Sequence, residues 1–344
     1  MEELSDRQKF ILTLVIHEYI RSASPVGSEN LVARYRLDLS SATVRNEMAA
    51  LEEKGYLRHP HTSAGRVPTE EGYRYFVSRL VHEAELPEDT RRMISHQFYQ
   101  MRSDVEQWTR LAASVLASQS HAASLVTAPH PDQAKVKHIE LISTRGRQVL
   151  MVIVMVGGEI HQRLLTLSES LPQEQLSAAA DRVTLGIQDK DASSIEALRS
   201  QFSGLELDTL NWALEEINRS SSTTAGEIYL DGLTNVLAEP EFSGSEEGLR
   251  ALRVFEERSA LQGLLAKMVQ TNAVGGIQVV IGGEGAWEDL RQYSMVLARY
   301  GSPGLSTGTL GVLGPMRMSY GRAISTVRFI ANLMSDMVEE TLTE

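Results

Sequence analysis

Thr43, Arg45 and Asn46 carry side chains suited to reading the edge of a nucleic-acid base. An arginine can donate two parallel N–H groups to guanine, an asparagine can pair bidentately with adenine, and a threonine hydroxyl can donate or accept. They sit near the start of the segment Ser41 to Lys54, in which Val44, Met48 and Leu51 recur at i, i+4 and i+7. That spacing draws an apolar stripe along a helix; at about 100° per residue, Ala42, Thr43, Asn46, Ala49 and Ala50 fall on the opposite face, with Arg45 on its flank and Ser41 at the cap. Small residues there permit close approach to a groove, and a helix N-terminus favours phosphate. A second group follows in Arg58, His59, His61, Thr62, Ser63 and Arg66, a polar, cationic stretch with no Asp or Glu between residues 54 and 69. Such a loop suits contacts to the sugar-phosphate backbone or the minor groove.

An alanine-rich helix with one Arg and one Asn also occurs on ordinary solvated faces, so the elements around it decide. Ser5 opens an amphipathic helix from Asp6 to Ser22, which ends before the breaker Ser24-Pro25. Ser28 caps a short helix through Leu31, Val32 and Tyr35, and Gly55 stops the third helix. Tyr56 to Arg58 and Arg66-Val67 read as two short strands around the tip, and Thr69 starts an exit helix. Helix, turn, helix and basic hairpin within about 80 residues form one small module of winged helix-turn-helix type.

Charge agrees with this placement, although the net value of −12 argues at first against a polyanionic partner. Residues 1–80 hold 11 Lys and Arg against 11 Asp and Glu, and the remainder holds 22 against 34. The acidic excess thus lies entirely after the module.

With 344 residues the chain exceeds one ordinary core and divides into two or three domains. The spacing predicts mostly helix over residues 88–120, then strands at Val136 to Ile142, Gln148 to Val156 (the central one) and His161 to Leu167. Helices follow at Gln175 to Ile187, Ile195 to Gln201, Leu207 to Asn218, Glu227 to Leu237 and Glu246 to Val269. Strands return at Ile277 to Ile281, Ser294 to Tyr300 and Gly308 to Leu313, before a last helix from about Tyr320 to Leu342. A helical block interrupting one α/β sheet is the pattern of an inserted domain.

Several chemistries find no support. There is no cysteine, hence no disulfide or thiolate metal site, and His59 and His61 lack further ligands, so neither a metal nor a cofactor is expected. No Gly-x-Ser-x-Gly elbow or His-Glu-x-x-His pair occurs, and the glycine-rich runs lack the phosphate-loop ending, so an enzyme is not expected. The acidic start and an apolar run no longer than Val149 to Val156 point to a cytoplasmic protein without a membrane partner.

The segments Ser41-Ala42-Thr43-Val44-Arg45-Asn46-Glu47-Met48 and His61-Thr62-Ser63-Ala64-Gly65-Arg66-Val67-Pro68-Thr69, with Leu237 to Phe242 and Gly308 to Met318, resemble those of the HrcA family of heat-inducible transcription repressors. The resemblance implies an α+β multidomain chain: a winged helix-turn-helix over residues 1–86, a GAF-like α/β domain in two parts, 87–168 and 273–344, and an inserted, mainly helical dimerisation domain over 169–272. It further implies a homodimer on double-stranded, inverted-repeat operator DNA upstream of chaperone genes, with activity promoted by the GroEL chaperonin. Gly282 to Trp287 departs from the family pattern, which weakens any ligand role for that loop. A ligand-sensing regulator, using the GAF-like domain as its receptor, is the competing expectation.

Overall fold

The structure is a computed structural model that describes residues 3–60, 65–81, 86–101, 104–130, 135–156, 160–188, 190, 192–222, 227–242, 261, 273–282, 291–303 and 305–343. Two compact units emerge: Met1–Ala128, Glu227–Tyr300 and Thr309–Glu344 form the first, and Pro129–Gly226 with Gly301–Gly308 the second.

The first unit begins with helices α1 (Asp6–Ser22), α2 (Ser28–Tyr35) and α3 (Ser41–Glu53). Ser5 caps α1, as the sequence indicated, and the structure adds a reciprocal box with Gln8. The other two caps differ from expectation. Gly27 precedes α2 without a side-chain cap, and Ser40, not Ser41, caps α3 by accepting the Thr43 amide at 3.1 Å. With two serines in succession, composition cannot say which leaves the helix; the extended backbone of Ser40 does. At the other end of α3, Gly55 takes φ +80°, its amide donates to Glu52 O, and the Tyr56 amide donates to Leu51 O. This satisfies two carbonyls of the last turn and reverses the chain into the next element.

Strands β1 (Leu57–Arg58) and β2 (Val67–Pro68) pair antiparallel. Arg66 adds a bridge to Val26, in the segment between α1 and α2. Thr69 then caps α4 (Glu70–Tyr75), which runs on as a π-helical turn, Phe76–Leu80. Gly72 is required there, since a Cβ would lie 2.2 Å from Tyr56 O.

The long helix expected over 88–120 is two, α5 (Glu88–Gln100) and α6 (Val105–Ser120), because Asp104 accepts the Gln107 amide and caps a new start. An antiparallel five-stranded sheet follows in the order β7-β3-β10-β9-β8, from β3 (Ala123–Thr127), β7 (Ile228–Asp231), β8 (Ile277–Ile281), β9 (Tyr293–Ser302) and β10 (Ser306–Pro315). A terminal helix, Tyr320–Thr343, closes the chain. The apolar residues of α1, α3, α6, β10 and that helix join one core, so the N-terminal helices share their interior with the sheet.

The second unit holds a separate sheet, β4 (Val136–Ser143), β5 (Gln148–Met155) and β6 (Ile160–Thr166) with β5 central, and helices α7 (Gln173–Ile187), α8 (Ala192–Leu198) and α9 (Leu205–Ser222). The strands were expected, and so was the central place of β5. Their membership in the sheet that resumes at Ile277 was not borne out, since none pairs with it. The segment read as helix over 227–237 is instead β7 followed by a short helix, α10 (Leu233–Leu237). Pairing with β3 overrides local propensity there, and Gly232 makes the turn at φ +69°, where a Cβ would meet Ala122 O at 2.5 Å. The helix expected over 246–269 lies outside the described residues.

Candidate nucleic-acid interface

The two faces of α3 separate as the spacing required. Val44, Met48 and Leu51 are fully buried, each contributing about 1.5–3 kcal/mol. Ala42, Arg45 and Asn46 are exposed, and Ser41, Thr43, Ala49 and Ala50 are half-buried. The burial fixes the rotation of the helix, and so decides which polar side chains reach solvent. The Thr43 hydroxyl lies 2.9 Å from Ser40 Oγ, which orients it at the helix start.

Helix α3 is held against α1 and α2 by charge as well as by packing. Glu47 pairs with Arg7 of α1 at 3.5 Å, and Arg45 lies 3.7 Å from Glu29 of α2. Glu18, buried on α1, lies 3.2 Å from Arg34 Nε and accepts the Tyr35 hydroxyl at 3.5 Å, tying α1 to α2. Its carboxyl is held below the ordinary carboxylate value by the hydrogen bond from Arg21, with Arg34 adding to the effect against the opposing influence of burial.

Sequence reasoning missed Glu52, in the last turn of α3. Its Oε1 lies 2.6 Å from His59 Nδ1 and its Oε2 3.0 Å from Arg66 Nε, so one carboxylate holds both legs of the hairpin. The signal was present: an acid in the last turn opposes the helix dipole unless cations compensate it. Arg58 is exposed beside this brace, whereas the Arg66 side chain is only 11% exposed. Gly65 completes the base of the hairpin, because a Cβ would lie 2.4 Å from the Val26 carbonyl. His61, Thr62 and Ser63 lie outside the described residues.

Burial alone would push the Glu52 carboxyl up, but the hydrogen bonds from His59 and Arg66 hold it below its ordinary value of 4.5. A depressed folded-state value gives stability that is complete above the unfolded value and is lost as pH falls through the folded one. Glu52→Gln should therefore lower the urea midpoint at pH 7, and the gap to wild type should close on acidification below about pH 4.5. A gap that stays constant down to pH 3 would remove the brace from the stability of the module.

Among the described residues, no group of three or more His, Asp and Glu is placed to hold a metal, and no helix is long and apolar enough to cross a membrane.

Comparison with known proteins places the chain in a family context. The description "HrcA protein C terminal domain" matches residues 106–324. A heat-inducible transcription repressor HrcA from Roseiflexus castenholzii is 45% identical, covering 98% of this chain and 95% of its own. The protein of the same description from Chloroflexus aurantiacus is 43% identical over 98% and 94%, and that from Dehalococcoides mccartyi (strain 195) is 33% identical over 98% and 96%. A crystal structure described only as a hypothetical protein is similar in fold, with a TM-score of 0.57, 22% identity and 98% coverage of both chains.

Proposed function

The chain belongs to the HrcA family of heat-inducible transcription repressors, and from that premise we propose that it represses chaperone genes by binding an inverted-repeat operator as a homodimer through residues 1–86. The observation that carries the proposal is the rotation of α3: its apolar stripe is buried, and Arg45 and Asn46 face solvent near its N-terminus. In a winged helix-turn-helix that end enters the major groove. Thr43, Arg45 and Asn46 then specify bases, while Ser41, Arg58, His59, His61, Thr62 and Ser63 position the backbone.

Arg66 takes a different part from the one its charge suggested. Engaged with Glu52 and largely buried, it sets the angle of the hairpin to α3, and any contact it makes to phosphate is secondary.

Two further parts of the reading have their own support. The GAF-like domain, expected over residues 87–168 and 273–344, is assigned to the antiparallel sheet β7-β3-β10-β9-β8 with α6 against β3, which leaves β4, β5 and β6 out of it and brings β7 in. Dimerisation, expected of an insertion over 169–272, is assigned instead to the second unit with its sheet β4-β5-β6 at residues 136–166, where Ile142, Leu150 and Leu164 align across one face with Val154 and Ile160, and Ile142, Ile160 and Leu164 are exposed. Heat is sensed through the fraction of repressor that is folded, and GroEL restores that fraction.

The experiment is a titration against an inverted-repeat chaperone operator and a scrambled duplex of equal length, at two salt concentrations, with and without chaperonin. A preference of about a thousandfold or more is expected; equal affinity for both duplexes would refute sequence-specific repression. Asn46→Ala should cost about 1–3 kcal/mol on the operator and relax preference at one base pair per half-site. An equal loss on scrambled DNA would remove Asn46 from base reading.

A further inference from the structure

Three carboxylates on or beside α3 are engaged by cations of the same module: Glu47 with Arg7, Glu52 with Arg66 and His59, and Glu29 with Arg45. The third pair is unlike the others. Glu52 is two-thirds covered and Glu47 four-fifths, whereas Arg45 and Glu29 keep 64% and 79% of their side-chain surface. Glu29 also comes from the first turn of a different helix, α2, and stands beside the arginine assigned to base reading. An exposed carboxylate on a surface that meets phosphate lowers affinity by repulsion.

We propose that Glu29 is a specificity-determining, positioning residue: it aims Arg45 toward the base edges and away from the phosphates. The inference rests on the DNA-binding reading above. A guanidinium has five N–H donors in a rigid fork. The one closest to Glu29 is on Nη2, and others remain for the two acceptors of a guanine edge. On the operator Arg45 satisfies both partners at once. On unrelated DNA it must leave Glu29 to reach a phosphate, and the carboxylate it leaves behind repels that same phosphate. An exposed pair of this kind biases its partner's orientation by up to about fivefold, enough to tilt specificity without locking the side chain.

The stabilising effect of an acid in the first turn of α2 is a competing reason for Glu29, and the test separates the two. Glu29→Gln removes the charge at an exposed position, and its thermal midpoint reports any loss to the helix. The operator and scrambled duplexes are titrated with wild type, Glu29→Gln, Arg45→Ala and the double variant.

The expected result for Glu29→Gln is about fivefold tighter binding to scrambled DNA, with a salt slope steeper by about one. Operator affinity should stay within about twofold, and in the Arg45→Ala background the same substitution should leave the operator-to-scrambled ratio unchanged. Equal tightening on both duplexes, no change on either, or a ratio that still falls without Arg45 would each overturn the role of Glu29. A wild-type ratio near one overturns the DNA-binding reading itself, and this inference with it, before any variant is compared.

Discussion

Arg317→Met is expected to destabilise the first unit by about 3 kcal/mol, a fall of roughly 6–12 °C in Tm for a unit of this size. The Arg317 side chain is 11% exposed and reaches both Glu239 and Glu241, while Nη1 donates to Ile20 O at 3.2 Å. Methionine keeps most of the bulk but leaves two carboxylates side by side without a counter-ion, and a carbonyl near the end of α1 without its donor. Breaking a fully buried ion pair costs about 3–5 kcal/mol; Glu239 and Glu241 are 26% and 30% exposed and recover some hydration, which sets the expectation at the low end. Adding Glu239→Gln and Glu241→Gln to Arg317→Met should recover part of the loss, because the repulsion then disappears. A loss below about 1 kcal/mol would show that solvent replaces the arginine at little cost, and that Arg317 does not fasten α1.

That cluster also shows where sequence reasoning stops. The stretches Leu237 to Phe242 and Gly308 to Met318 stood out only through resemblance. Nothing in their composition says that an arginine of one neutralises two acids of the other, or that both meet α1. Charge pairs between distant segments have no local period, whereas Val44, Met48 and Leu51 announce their burial by recurring at helical spacing.

The same division runs through the interface. The exposed side of α3 followed by rotation from its buried stripe, so Arg45 and Asn46 were legible as solvent-facing before any contact was known. The brace at Glu52 was not, since it depends on the hairpin folding back to place His59 and Arg66 within 3.0 Å of one carboxylate. Elsewhere one strand went unread and another was read as helix, for one cause. β3 is a five-residue strand buried at every position, without alternation to mark it, and β7 lies in a stretch of helical appearance. Short strands of this kind are set by their partners, and a sheet assembled from residues 123–127 and 228–231 needs both before either is stable.

Leu164→Asp, alone or with Ile160→Asp, is expected to convert the proposed homodimer into a monomer at micromolar concentration and to weaken binding to the proposed inverted-repeat operator by at least about a hundredfold. The substitutions are chosen for what they leave intact. Leu164 is 57% exposed and Ile160 67%, on the side of the sheet opposite Met151, Ile153 and Leu165, so the interior of the unit loses no contact. Registers Ile142↔Leu150, Leu150↔Leu164 and Val154↔Ile160 set these side chains in adjacent rows, with Val152 between them. A charge in the middle of such a face must be desolvated, unpaired, if a second copy covers it. The loss on DNA then follows from linkage: two half-sites held by one dimer bind at high effective concentration, and two monomers do not. Affinity for a single half-site should be unchanged, which distinguishes a broken dimer from a damaged α3. A variant that remains dimeric by analytical ultracentrifugation would move the self-association surface elsewhere. A monomer that still binds the full repeat like wild type would show that each recognition helix acts alone, and the symmetry of the operator would then need another explanation.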